Sequence, residues 1–177
     1  MKKLIFTALI FTSLGFNTTQ NHSEIVKPSH IISEDKVTPD SDCEMFLKLA
    51  ELASNNNLAS IKGSVVKSIY YRTDHVFAST ISIPGAIETL INDDPVDGAT
   101  LFSFPKNYGS DETEARADFD IQFKKFTGCI TPVETRVADS LDISVRYQNC
   151  TINFHTYKNG NINAWVMRIS MKYSKTW

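Results

Sequence analysis

The chain has 177 residues and a formal net charge of -2, and 42% of its residues are hydrophobic. This length suits one domain with a sizeable core. The charge balance argues against a nucleic-acid partner or an anionic membrane surface, because either would need a basic excess or a basic stripe.

The N-terminus has the pattern of a secretory signal peptide. Met1 is followed by Lys2 and Lys3 and then by an apolar run that ends at Phe16. That run is too short for the roughly 20 apolar residues that span a bilayer. We predict a signal peptide of bacterial type over 1–16 and export to a periplasm or to the outside. An uncleaved anchor is the alternative, and no later stretch is apolar enough for an integral membrane span.

Two further regions follow the signal. Residues 17–40 are polar and lack sustained periodicity, which predicts a flexible leader. Residues 41–177 carry the periodic patterns of secondary structure, and we predict a single α+β domain there.

The first half of this domain reads as a helix followed by three strands. Ser41 and Glu44 have capping-box spacing, and the asparagines at 55–57 end the helix. Two strands over 64–71 and 76–83 are predicted from β-branched and aromatic residues, with a hairpin loop between them. A third strand is predicted over 99–104. The segment 87–91 fits either a short helix or an extended edge.

A second helix follows. Ser110 or Asp111 is its expected N-cap, acidic residues favour its first turn, and Gly128 is its expected end.

The last three strands show the clearest alternation of apolar and polar residues. They cover 141–147, 150–155 and 165–173 and predict a three-stranded antiparallel meander with one wet face. A turn at Asn159-Gly160 would place Phe154 opposite Trp165. A turn at 148–149 would place Val145 opposite Ile152.

The predicted element order is α-β-β-β-α-β-β-β, with two helices packed on one face of a mostly antiparallel sheet. Antiparallel helices would bring Cys43 close to Cys129, and we favour a disulfide between them. A disulfide that closes such a long loop stabilises the folded state by about 4 kcal/mol in the chain-entropy model. A Cys129–Cys150 bridge is the alternative, while Cys150 in its strand suits a buried thiol.

Motifs for catalysis or metal binding are not found. Cys150 and His155 are five residues apart on one strand, so their side chains point to opposite faces and cannot pair. No CxxC, HxxxH or HExxH spacing occurs, and we expect no metal and no cofactor. The acidic segment 92–98 is interpreted as a turn because it lacks an EF-hand's terminal glutamate. We recognise no family.

The polar face of the meander offers one candidate site. The predicted register places Asp142 opposite His155, and it places Thr151 between Arg146 and Arg168. An aspartate and a histidine beside two arginines could bind a carboxylate or act as an acid/base pair. A solvated sheet face with ordinary polar pairs is the simpler interpretation.

From these patterns we expect an exported, non-catalytic binding module for an unknown protein, peptide or small hydrophobic molecule. An exported hydrolase using Asp142 and His155 is one alternative, which an enclosed pocket around His155 would favour. A structural envelope component is another, and it should have a large exposed apolar patch.

Overall fold

A computed structural model describes residues 41–176. The predicted signal peptide over 1–16, the predicted leader over 17–40 and Trp177 lie outside the described residues. Two α-helices, one short 3-10 helix (Leu58–Ile61) and eight strands make up the fold. Their bounds are α1 Ser41–Ser54, β1 Lys62–Val65, β2 Val76–Ser79, β3 Glu88–Asp94, β4 Gly98–Gly109, α2 Glu112–Thr127, β5 Glu134–Asp139, β6 Asp142–Tyr147, β7 Cys150–Asn159 and β8 Ala164–Tyr173.

The eight strands form one antiparallel sheet in the order β1-β2-β3-β4-β8-β7-β6-β5. Both helices pack against β7 and β8 on the same face of this sheet. The predicted α+β class, its layering and the C-terminal meander are confirmed. β3 occupies the segment that the sequence left open between helix and strand, and β5 precedes the meander as an additional edge strand.

The start of α1 meets the end of α2, as the disulfide argument requires. Cys43 and Cys129 are bridged, with their Cα atoms 5.1 Å apart. Next to the bridge, Phe46 stacks on Phe126 with ring centroids 5.0 Å apart. The predicted disulfide is therefore confirmed.

The N-cap of α2 is Asp111, whose side chain accepts a hydrogen bond from the Glu114 backbone N–H.

The main core lies between the helices and the sheet. Phe119 of α2, Phe154 of β7 and Met167 of β8 are fully buried there. Cys150 is also fully buried and unbridged, and burial raises the pKa of its thiol to about 12.

The opposite face of the sheet carries a second, smaller core that the sequence did not predict. The prediction of a strand over 64–71 is wrong, because β1 ends at Val65 and the chain then crosses this face. Tyr70 stacks on Phe104 with ring centroids 4.9 Å apart, and Tyr71 lies 4.4 Å from Phe102 in the same measure. Segment 66–75 therefore covers the β2–β4 side, so one face of the sheet is only partly wet.

The predicted pairing of β7 with β8 is wrong by four residues. Phe154 lies opposite Ile169 rather than Trp165, and Asn159 lies opposite Ala164. Asn159 is buried at the end of β7, where its side-chain amide donates a hydrogen bond to Tyr70 O at 2.9 Å. Asn159 is therefore part of the strand, and the four residues 160–163 form the hairpin loop. A shift of four preserves the side-chain alternation, and the predicted inward and outward faces are therefore correct.

The free thiol provides a direct test of the disulfide pattern. We expect native protein to show no reaction with DTNB, because the Cys150 thiol is buried and protonated. Denatured, non-reduced protein should show one thiol per chain, located by mass spectrometry at Cys150. Recovery of a Cys129–Cys150 peptide would contradict this arrangement.

The second core predicts a specific stability effect. Tyr70→Ala should lower the free energy of unfolding by about 3 kcal/mol, because it empties a buried ring site against Phe104. The matched control is Ile69→Ala, since Ile69 is 55% exposed in the same segment and should change stability by less than about 0.5 kcal/mol. Urea unfolding measures both, and equal effects would contradict the second core.

Candidate functional site

The candidate site is the part of the second sheet face that neither the helices nor segment 66–75 covers. We call it the meander polar face. It is formed by the outward side chains of β6, β7 and β8, namely Asp142, Ser144, Arg146, Thr151, Asn153, His155, Arg168, Ser170 and Lys172. Because their neighbours along each strand point into the main core, this face is fixed by the strand alternation.

The structure brings three of the four predicted residues into one row across the sheet. Asp142 of β6 lies opposite His155, as predicted, and His155 lies opposite Arg168 of β8. Because the observed pairing of β7 with β8 differs from the predicted one by four residues, Arg168 lies opposite His155 instead of opposite Thr151. The predicted position of Thr151 between Arg146 and Arg168 is therefore half wrong.

Arg146 lies apart from that row on the same face. It lies opposite Thr151, and Lys172 takes the place that was predicted for Arg168. The Arg146 Nε donates to Gln148 O at 3.2 Å.

Asp142 and His155 do not form a hydrogen-bonded pair. Asn153 Nδ2 donates to Asp142 Oδ1 at 2.6 Å and also lies 3.1 Å from Ser144 Oγ. The His155 ring instead stacks on Tyr157, with centroids 4.7 Å apart. Within residues 41–176, the His155 imidazole has no hydrogen-bond partner, so it lacks the carboxylate that orients a catalytic imidazole.

The half-buried position of His155 also sets its charge. Burial lowers its pKa below the ordinary value, and the nearby Arg168 acts in the same direction. Asp142 and Asp139 partly offset this effect. The lowered pKa favours the neutral imidazole, which can both donate and accept a hydrogen bond.

Arg168 is held by aromatic rings instead of by an acid. Its guanidinium carbon lies 5.2 Å from the Tyr157 ring centroid and 5.5 Å from that of Phe102. Its Nε is buried without a hydrogen-bond partner. Among the ion pairs of the described residues, none involves Arg168. The candidate site therefore contains an arginine that pairs with no carboxylate of the described residues.

Sequence reasoning missed the two rings that hold Arg168. Alternation from His155 along β7 could have found Tyr157, which points to the same face. Phe102 could not be found this way, because its position depends on the pairing of β4 with β8.

The charges of the meander polar face favour an anion. Arg146, Arg168 and Lys172 contribute three cations, while Asp142 is its only acid. Asp97 reaches Lys172 from outside this face at 3.9 Å. Counted over β6, β7 and β8, the face is thus basic, while Glu134 and Asp139 of the neighbouring strand β5 border it.

An open cleft of about 420 Å³ borders this face where β6 begins and β7 continues beyond it. His155 and Tyr157 of β7, Trp165 of β8 and Arg116 of α2 are among the residues that line it. The hydroxyl of Thr156, which also lines the cleft, is buried without a hydrogen-bond partner. Because α2 packs on the face opposite the meander polar face, the cleft borders that face near His155 but is not a continuation of it.

Other candidate sites from the sequence have ordinary local roles. Asp94 Oδ1 accepts hydrogen bonds from the backbone N–H groups of Val96 and Asp97 at 2.8 and 2.9 Å, which closes the acidic turn. Within residues 41–176, no group of three or more acidic, histidine or cysteine side chains is placed to hold a metal ion.

The environment of His155 predicts its titration. We expect an NMR-measured pKa below 6.5, with Asp142→Asn lowering it further and Arg168→Gln raising it. Because the unfolded state then binds the proton more readily, His155 should reduce stability as the pH falls below about 6.5. A measured pKa above 6.5 that Asp142→Asn lowers strongly would instead indicate an Asp142–His155 pair.

No protein-family model, no curated protein and no solved structure matches this chain. Its function is therefore argued from the chemistry of the meander polar face.

Proposed function

We propose that this protein is an exported, non-catalytic binding module that holds a carboxylate-bearing segment of a protein or peptide partner on the meander polar face. The observation that carries the proposal is Arg168, whose guanidinium lies over the rings of Phe102 and Tyr157 and pairs with no acid among residues 41–176.

The surroundings of Arg168 suit a carboxylate. Stacking on Phe102 and Tyr157 holds the guanidinium plane and partly excludes water, which lowers the entropic cost of binding an acid. A guanidinium presents paired N–H donors that match the two oxygens of a carboxylate. A ligand acid would thus supply the anionic partner that residues 41–176 do not.

The rest of the face suits an extended acidic segment rather than a single ion. Ser170 lies opposite Asn153 and next to the Arg168 row, so both add neutral hydrogen-bonding groups. Lys172 and Arg146 continue the positive charge along the same strands. Successive acidic side chains of a peptide could therefore contact successive cations.

A hydrolase has less support than a binding module. The Asp142 carboxylate is engaged by Asn153, and the His155 ring is stacked on Tyr157. The cleft beside them is open to water. Water weakens the electrostatic stabilisation of a transition state, which is strongest in an enclosed site.

A structural envelope component also has less support. Large exposed hydrophobic residues of the described part are scattered over β1, α2, β5 and several loops. Scattered apolar residues are normal on a monomer surface and do not make the large patch that this alternative requires.

Export is part of the proposal. The lysines and apolar run at the N-terminus support it, and the Cys43–Cys129 disulfide is typical of oxidising compartments. Among the described residues, neither α-helix is long and apolar enough to cross a membrane.

The test is an NMR titration of the ¹⁵N-labelled chain with an acetylated hexaglutamate peptide at low salt. We expect shifts centred on Asn153, His155, Arg168 and Ser170. Arg168→Gln should weaken binding at least about tenfold, because a charge-assisted bidentate contact is lost. Arg168→Lys should weaken it too, since an ammonium lacks the planar, stacked donors.

The matched control is Lys124→Gln, which removes one positive charge from the exposed side of α2 across the sheet. It should leave binding unchanged. If Arg168→Gln and Lys124→Gln weaken binding equally, the peptide senses net charge alone and the proposed site is wrong. Shifts confined to another surface would have the same meaning.

A further inference from the structure

The open edge of β5 has a feature that the proposed binding function does not use. β5 is the last of the described strands in the sheet order, and all six of its residues are exposed. Val133 and Val137 are exposed by 68% and 66%, respectively. An exposed edge strand with unpaired backbone groups is a template for a further strand.

The backbone groups that face this edge follow from the hydrogen bonds of the neighbouring strands. Thr156 N donates to Leu141 O. The backbone N–H and C=O groups of Leu141, and of every second residue after it in β6, therefore point toward β7. The intervening β6 residues therefore point toward β5 and bond Glu134 and Arg136. By alternation, the backbone N–H and C=O groups of Thr135 and Val137 face the open edge.

We propose that a second copy of this chain docks on the β5 edge, in an antiparallel pairing around a two-fold axis through Thr135. This register places Glu134 of each copy opposite Arg136 of the other. It also places Val133 of each copy opposite Val137 of the other, while the two Thr135 residues exchange two backbone hydrogen bonds. The five residues 133–137 thus complement themselves in both charge and hydrophobicity.

The charges on this edge are arranged for such a pairing. In one copy, Arg136 Nε already lies 3.0 Å from Glu134 Oε1, and both side chains are about half exposed. A second copy completes a cluster of four charges in which every acid has two basic neighbours. The ion pairs within the strand are retained while those across the axis are added.

Neighbouring registers lack this complementarity. Residues that pair in antiparallel strands have side chains on the same side of the sheet, so a two-fold axis must pass through a residue. The neighbouring alternatives to Thr135 are axes through Glu134, Arg136 or Val137. The first opposes two acids, and the second opposes two arginines. The third places Arg136 opposite Ala138, so no opposite charges face each other.

The flanking residues limit the length of the pairing. Val133 N already donates to Arg146 O at 2.8 Å, and Pro132 has no backbone N–H. The new ladder therefore covers 133–137 in each copy. A ladder this short predicts a reversible dimer rather than a permanent one.

The two-fold axis fixes how the two copies present their surfaces. Paired residues in an antiparallel ladder point to the same side, so the meander polar faces of both copies lie on one side of a continuous sheet. The dimer would offer two Arg168 sites to one partner, but its formation does not depend on that proposal.

The test uses sedimentation analysis of the chain expressed from Met1, so that any processing occurs, over a concentration series. Wild-type protein should show a reversible monomer–dimer equilibrium. Glu134→Arg alone and Arg136→Glu alone should each raise the dimer dissociation constant at least about tenfold, because like charges then meet across the axis.

An equimolar mixture of the two variants is the decisive step. One strand then carries two arginines and the other carries two glutamates, so a heterodimer should form at wild-type affinity or better. Glu112→Arg is the matched control, because it breaks the exposed Glu112–Arg116 ion pair on α2 and should leave the dimer unchanged. Circular dichroism confirms that each variant is folded.

Two results would overturn the proposal. One is a wild-type chain that stays monomeric up to about 1 mM, a concentration well above any dissociation constant that would define a specific dimer. The other is a dimer that neither single substitution weakens and whose mixed variants show no preference for each other, since the contact would then lie elsewhere.

Discussion

The alternation of side chains along β7 and β8 is the constraint on which the rest of this structure depends. These two strands lie inside the sheet, and both helices pack against each of them. Their inward residues, such as Ile152, Phe154 and Ile169, are fully buried in the main core. A slip of one residue would bury Arg168 and expose these apolar side chains, which neither face could tolerate. The location of the polar face thus follows from the location of the core.

The same alternation explains which parts of the fold could be predicted from the sequence. Period-two patterns identified the faces of the last three strands, and capping residues located the start of α2. The prediction of which residues face each other across β7 and β8 was wrong, because Asn159-Gly160 on its own resembles a two-residue turn. The bond from Asn159 to Tyr70 O, between residues 89 apart, decides the turn instead. Local turn preferences do not contain such a long-range contact.

The second core was missed for a related reason. β-branched and aromatic residues in 64–71 indicate a strand by propensity, yet propensity mainly reports the ability to pack on a sheet. Tyr70 and Tyr71 do pack on a sheet, as a crossing segment rather than as a strand within it. This segment encloses the β2–β4 side of the polar face and contributes to the setting of Arg168, since Phe102 contacts both Tyr71 and Arg168. The sequence therefore supplied the charged residues of the candidate site but not the rings that make Arg168 distinctive.

The register of β7 with β8 is the central claim of this account, because it places Arg168 opposite His155. Residues that face each other in antiparallel strands have Cα atoms about 4.5–5.5 Å apart, close enough for cross-strand NOEs. We predict an NOE between the Hα protons of Phe154 and Ile169 in the labelled protein. An NOE between the Hα protons of Phe154 and Trp165 would establish the shorter turn instead. It would move Arg168 away from His155 and contradict the proposed site.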